Sequence, residues 1–383
     1  MAQQAARADL DLVVASSHAA EPAAAAAELA AAMGSRPLAG GLVFCSHRLA
    51  GQALAEALQQ VLGDMPLIGC TSAGELSDRG YDADSVVFIG FPADAFRMAV
   101  HCFDDLDHFV PAEGRQAITA LAAVAAGGEE GGAFPNRAAL FLVDGLSHRE
   151  ELLAMTVQEA LGDTVMVGGS SGDGLRFRET GILVGGRFVK DAAAVAILAS
   201  RRPMQGFTAH HYRPGAEKMV VTAADPHART VFQINARPAA EEYRRVAGRL
   251  GEPLDPAFFA AHPPMVRAGG GYHVRAVQSV NADDSLTFYC AIDNGIVLTI
   301  GEPVDRLAQL EALFDDLEGE IGQIDHVIGF DCVLNRIDAE NRQLTGAVSR
   351  FYARRRVVGF NTYGEQYRAA HINQTLSGLV IGR

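Results

Sequence analysis

Seven consecutive residues, Gly69-Cys70-Thr71-Ser72-Ala73-Gly74-Glu75, constrain the fold of this chain more than any other stretch, because they return twice in altered form. Leu62-Gly63-Asp64 lies on Leu161-Gly162-Asp163 without a gap, and the same offset lays Gly69 on Gly168 and Thr71-Ser72 on Ser170-Ser171. Near the far end, Gly359-Phe360-Asn361-Thr362-Tyr363-Gly364-Glu365 keeps the spacing of glycine, hydroxyl, glycine and acid. Self-similarity of this kind points to one supersecondary unit used several times.

The surroundings recur too. An apolar run that reads as a buried strand stands before each copy, at 41–45, 139–143 and 327–333. A stretch of helical composition follows, at 50–62, 150–161 and 343–354, and a second apolar run leads into the small-residue turn. The expected fold class is therefore α/β: strand-helix-strand units with additional antiparallel strands, forming a duplicated N-terminal module and a C-terminal α/β domain. The expected divisions are 1–39, a strand and an Ala-rich helix; 40–235, the duplicated domain with units at about 40–126 and 138–200; and 236–383. Two hairpins are expected as well, one joining 85–91 to 96–102 and one around Asn294-Gly295, between the apolar runs 286–292 and 296–300. The glycine-rich stretch 127–132 reads as a loop, and 1–9 as a frayed leader.

Charge and composition narrow the function classes. With 46 acidic against 32 basic side chains, and no basic cluster longer than Arg354-Arg355-Arg356, binding to a nucleic-acid backbone is not expected. The longest apolar run, 192–199, is too short to span a bilayer, so no membrane insertion and a cytoplasmic location are expected. Five widely spaced cysteines without a C-x-x-C pair indicate neither a disulfide framework nor a structural zinc site.

Chemistry is read from the turns. A Gly/Ser/Thr turn at the carboxyl end of a strand is where open α/β sheets bind ligands. Thr71, Ser72, Ser170, Ser171 and Thr362 would supply hydroxyls to a small polar metabolite, and Glu75, Asp173 and Glu365 would meet an ammonium. Cys70 and Tyr363 lie in the same turns and join the ligand-binding set, while Arg267 or Arg275 would meet a carboxylate. Gly168-Gly169-Ser170-Ser171-Gly172 spells a hydrolase elbow, but the residues after it lack the helical period an elbow needs. No Gly-Lys-Ser/Thr follows any glycine turn, which removes a P-loop. A non-catalytic protein is expected, with a serine-dependent hydrolase as the rival.

The chain resembles the FIST family of signal-transduction proteins. The resemblance rests on Ile68 with the first turn, Val167-Gly168-Gly169-Ser170-Ser171-Gly172-Asp173, Phe330-Asp331-Cys332-Val333-Leu334, and the third turn with His371-Ile372-Asn373-Gln374-Thr375. It implies FIST N-type and C-type domains over 40–235 and 236–383, and a sensory protein that binds a small-molecule ligand such as an amino acid. Members of the stand-alone type are described as haem-binding nitric oxide sensors that regulate histidine kinases. The resemblance thus implies a histidine kinase or other signalling protein as partner and haem b as a cofactor, and it leaves a homo-oligomer open. An axial ligand would be His371, His148 or His47, the first beside the third turn and the others just after equivalent strands.

Overall fold

The computed structural model describes residues 11–127, 134–268 and 270–383. The expected leader and most of the 127–132 loop lie outside these residues. Three six-stranded sheets are built to one plan. In the first, Leu38–Ser46 runs parallel to Leu67–Ser72, with helix Gln52–Leu62 as the crossover. The second pairs Asn136–Val143 with Val165–Ser170 through helix Glu150–Leu161, and the third pairs Ile324–Cys332 with Val357–Thr362.

Each sheet borrows a hairpin from another. The hairpin Glu75–Ser77/Gly80–Asp82 follows the first turn yet extends the third sheet, beside Val357–Thr362. Ile182–Val184/Arg187–Val189 extends the first sheet, and Glu365–Tyr367/Ala370–Ile372 extends the second. The exchange closes a ring, so no sheet is complete without a neighbour.

Alternation along the strands explains the layering. Phe44 and Cys70 from the first sheet, Leu142 and Val167 from the second, and Phe330 and Phe360 from the third face one shared core. Phe44 stacks on Phe360 at 4.6 Å between ring centroids, a contact worth about 1 kcal/mol beyond its buried area. The opposite faces carry helices: Pro22–Met33 and Gln52–Leu62 on the first sheet, Pro111–Ala126 and Glu150–Leu161 on the second, Arg306–Ile321 and Thr345–Arg354 on the third.

A separate eight-stranded antiparallel sheet lies between strand Met204–Ala209 and helix Arg306–Ile321. Its long strand Tyr212–Asp225 and the helices Ala239–Val246 and Pro256–Ala261 enclose their own core around Tyr243, Phe258 and Phe288.

Three expectations are corrected here. Val86–Pro92 and Phe96–Phe103 do not pair with each other. The first already has Val13–Ser17 and Leu38–Ser46 on its two edges, so the second crosses to Ala193–Ser200 in the next sheet. The runs flanking Asn294-Gly295 also part company. Leu286–Phe288 pairs with Thr230–Ile234 and Val277–Val280, while Val297–Pro303 pairs with Tyr212–Asp225 and Pro264–Ala268. Asn294 Oδ1 instead accepts from Ala224 N at 2.8 Å. Finally, a helix unseen in the sequence, Val333–Asn341, begins where an apolar strand was expected to end.

Candidate functional site

The motif glycines permit close approach. A Cβ on Gly69, Gly168 or Gly359 would lie 2.2, 1.9 or 1.9 Å from the carbonyl oxygen of Val43, Phe141 or Gly329 on the neighbouring parallel strand. No side chain fits there.

Beyond these strands the three turns meet and bond to one another. Gly172 and Gly174 N–H donate to the carbonyls of Thr71 and Ser72; Tyr363 N–H donates to Ser170 O, and Ser170 N–H to Gly364 O. Ala73 N–H donates to Asn361 O, and Asn361 N–H to Gly74 O. These amides therefore serve the ring and not a ligand. Ser72 and Thr362 donate their hydroxyls to Glu75 and Glu365. The other oxygen of each acid accepts both the N–H and the hydroxyl of Ser85 or Thr375. Burial pushes the Glu75 carboxyl up to about 7 and that of Glu365 to about 8.

In the second unit the turn is longer and has no such glutamate. Ile182 opens the hairpin where Glu75 and Glu365 open the other two. Asp173 holds this longer turn by accepting from the N–H groups of Phe177, Arg178 and Glu179 and from the Tyr363 hydroxyl. Burial opposes ionisation of Asp173, but these four bonds outweigh it and lower its pKa. Ser171 Oγ accepts from Gly145 N at 3.2 Å. Ser170 is fully buried, and Gln366 Nε2 donates both to its Oγ at 2.9 Å and to His371 Nδ1 at 3.0 Å. The amide of Gln366 thus stands between the serine and the histidine. Cys70 is buried against the shared core, and burial raises its thiol pKa.

Each borrowed hairpin packs its outer strand against a helix of the accepting sheet. Its middle residue is Tyr81, His371 or Phe188, and the three places differ in what fills them. Tyr81 donates to Asp331 at 2.7 Å beside Arg306, which also reaches Tyr352 OH at 3.0 Å. That place is packed shut. His371 lies against helix Glu150–Leu161, with its Nε2 3.3 Å from Tyr289 O of the antiparallel sheet. Arg229, also from that sheet, reaches Glu150 and Glu151 at 2.6 Å each. Burial lowers the His371 pKa against the opposing pull of Glu151 and Glu150. Arg275, a sequence candidate for binding a carboxylate, donates instead to His371 O at 3.0 Å, while Arg267 is exposed elsewhere on the sheet.

The place beside Phe188 is open. A cavity of about 330 Å³ lies there, lined by His47, Gly51, Thr71, Arg176, Glu179 and Lys190 among others. Two of these, His47 and Thr71, were expected from the sequence. Thr71 Oγ1 accepts from Gly181 N at 3.1 Å, which fixes the cavity floor. Neither His47 nor Arg176 makes a hydrogen bond with any described residue. Burial and the nearby Arg176 lower the His47 pKa, so its ring is neutral near pH 7. No side chain among the described residues caps the first turn of helix Gln52–Leu62, whose N-terminus points partial positive charge at the same space. Lys190 pairs with Glu179 at 2.7 Å on the rim. The charged members missed in the sequence all fall in 176–190, the stretch lengthened relative to the other two copies. That extra length was the available signal.

The three histidines proposed for haem differ in fit. Both ring nitrogens of His371 are engaged, and a Cβ on Gly364 would already lie 2.3 Å from its ring, so no iron fits there. His148 is exposed at a left-handed φ of 55° and lines none of the cavities described above. Of the three, His47 borders a cavity with both ring nitrogens unbonded among the described residues, yet Phe188 is the only aromatic hydrocarbon wall that these residues place beside it. No helix among the described residues is long and apolar enough to cross a membrane.

Comparison with curated proteins gives no match. Two family models do match: the FIST N domain over residues 39–237 and the FIST C domain over 239–368. Their junction falls at Pro238, the last residue of strand Arg237–Pro238 and the one before helix Ala239–Val246. Together they span most of the chain, which belongs to the FIST family, whose domains are associated with sensing in signal transduction.

Proposed function

We propose that this protein is a non-catalytic cytoplasmic sensor that binds a small polar metabolite bearing a carboxylate, such as an amino acid, in the cleft beside Phe188. Its output passes to a partner signalling protein such as a histidine kinase. The observation that carries this reading is the pairing of two unengaged side chains, His47 and Arg176, with an uncapped helix N-terminus around one open cavity. A carboxylate binds Arg176 and the helix end, and Glu179 on the rim receives an ammonium. The ligand changes a partner's activity only through unequal affinity for two conformations of the protein.

Isothermal calorimetry with the amino acids and simple carboxylates tests the reading. Binding should weaken at least about tenfold in Arg176→Ala, the loss of roughly 1.4 kcal/mol. No heat with any compound up to millimolar concentration, or heat unchanged by the substitution, overturns it.

The haem and nitric oxide reading rests on His47. We place it second, because among the described residues lining the cavity Phe188 alone offers an aromatic surface to a porphyrin. A Soret band after reconstitution with haem, lost in His47→Ala, would reverse this order. The serine-hydrolase rival requires a base beside Ser170, where Gln366 stands.

A further inference from the structure

In a two-residue hairpin the middle residue of a three-residue outer strand turns its N–H and C=O away from its partner. Tyr81, His371 and Phe188 hold this position in the three hairpins. At Tyr81 the outward N–H donates to Ser349 Oγ at 3.1 Å, and the following residue's carbonyl accepts from Arg336 at 2.8 Å. At His371 the outward carbonyl accepts from Arg275 at 3.0 Å. Phe188 has no counterpart of either: among the described residues nothing bonds to its outward N–H or C=O. The one unsealed edge of the three therefore borders the cavity beside Phe188.

We propose that this edge and cavity together bind the carboxyl-terminal residues of an extended peptide. The inference rests on the ligand site argued above and names a second class of occupant for it. The terminal carboxylate lies at the uncapped first turn of helix Gln52–Leu62, beside Arg176. The residue before it pairs its backbone with Phe188, as a short strand added to the first sheet. The chain runs parallel to Arg187–Val189, because that strand leads toward Lys190 and the cationic end of the cavity. Upstream of the pairing, the peptide passes the hairpin tip Gly185-Gly186. Exposed Glu56, one turn along the helix from Gln52, lies there without a cationic partner among the described residues. Charge at the two ends thus favours a free carboxylate at one end and a basic side chain at the other. An isolated amino acid satisfies the carboxylate end but leaves both Phe188 groups unpaired.

The test is an array of N-terminally tethered pentapeptides ending in free carboxylates, with a duplicate array amidated at that end. The best binder is then measured by fluorescence anisotropy against variants of the whole protein. Phe188→Ala keeps the outward N–H, whereas Phe188→Pro removes it at an edge position that tolerates proline. The free-acid peptide should bind at least about tenfold more tightly than its amide, and Phe188→Pro at least about tenfold more weakly than Phe188→Ala, each about 1.4 kcal/mol. Arg176→Ala, in an exposed loop, should cost the free acid its advantage and leave the amide unchanged, which guards against a folding defect in the proline variant. Equal binding of acid and amide, equal binding by the two Phe188 variants, or an empty array overturns the proposal. Calorimetric binding of an amino acid with an empty array would leave the small-ligand reading standing and remove only this one.

Discussion

Replacing the two buried glutamates of the ring by glutamine should flatten the pH dependence of stability. In the folded chain burial raises Glu365 from 4.5 to about 8, and Glu75 from 4.5 to about 7. A raised carboxyl binds its proton more tightly when folded. Its stabilisation is complete below the unfolded pKa near 4.5 and is lost as pH rises toward the folded value. At 1.36 kcal/mol per pKa unit, the loss approaches about 5 kcal/mol for Glu365 and about 3 kcal/mol for Glu75. Most of it falls between pH 5 and 9. The two acids lie in different sheets with different partners, so their losses should add. Glutamine is neutral throughout and nearly isosteric, and its amide can still donate to Thr362 or Ser72. The measurement is urea denaturation followed by far-UV circular dichroism, since the chain has no tryptophan, at pH 5, 7 and 9. Relative to the parent, Glu365→Gln should gain stability steadily with pH, by about 4 kcal/mol between the two ends. Parallel profiles for parent and variant would show that the carboxyl is ionised at neutral pH and that burial does not govern it.

Three further outcomes follow from the same geometry. Arg229→Met leaves Glu150 and Glu151 facing each other without their cation, and should cost about 3–5 kcal/mol by urea midpoint; a change below about 1 kcal/mol would mean the pair is solvated. Gly168→Ala should destabilise by at least about 3 kcal/mol, since its Cβ would lie 1.9 Å from Phe141 O. Gly319→Ala, in a helix with no atom within 4 Å of the new Cβ, should gain up to about 1 kcal/mol, and equal effects at the two glycines would refute the close-approach argument. Native thiol titration should label Cys102 alone, and slowly, because partial burial lifts its pKa to about 11 while the other four cysteines are buried; rapid labelling of Cys70 would contradict its place in the core.

Local order was legible where local chemistry decides it. Helix Glu150–Leu161 falls on the expected residues because two acids open it and glycine follows it. The motif glycines, read from the sequence as part of a turn, lie inside strands instead, each against a carbonyl of the neighbouring strand. Pairing between distant strands was not legible. The residues of Gly80–Asp82 specify a hairpin, but nothing in them says that it completes the third sheet and not the first. Asn294-Gly295 misled for the same reason: it makes a turn, and tertiary pairing takes the flanking runs elsewhere. The turns looked like ligand cradles because small size and hydroxyl groups suit both a ligand and a neighbouring turn. Only the hydrogen-bond partners separate the two uses.

The proposed site lies where the common plan is departed from. In two of the three places a side chain already meets the hairpin edge: Ser349 at Tyr81, and Arg275 at His371. Arg229 and Arg306 supply the buried positive charge there. At Phe188 both the edge partner and the buried cation are missing among the described residues, and the loop carrying Arg176 is lengthened beside it. That loop is anchored by Asp173, which also accepts the Tyr363 hydroxyl from the third unit. An occupant that moves Arg176 therefore pulls on a residue bonded directly to another unit, and the ring of turns leaves little slack to absorb the displacement. Closely packed junctions of this kind convert a small local shift into a choice between two arrangements.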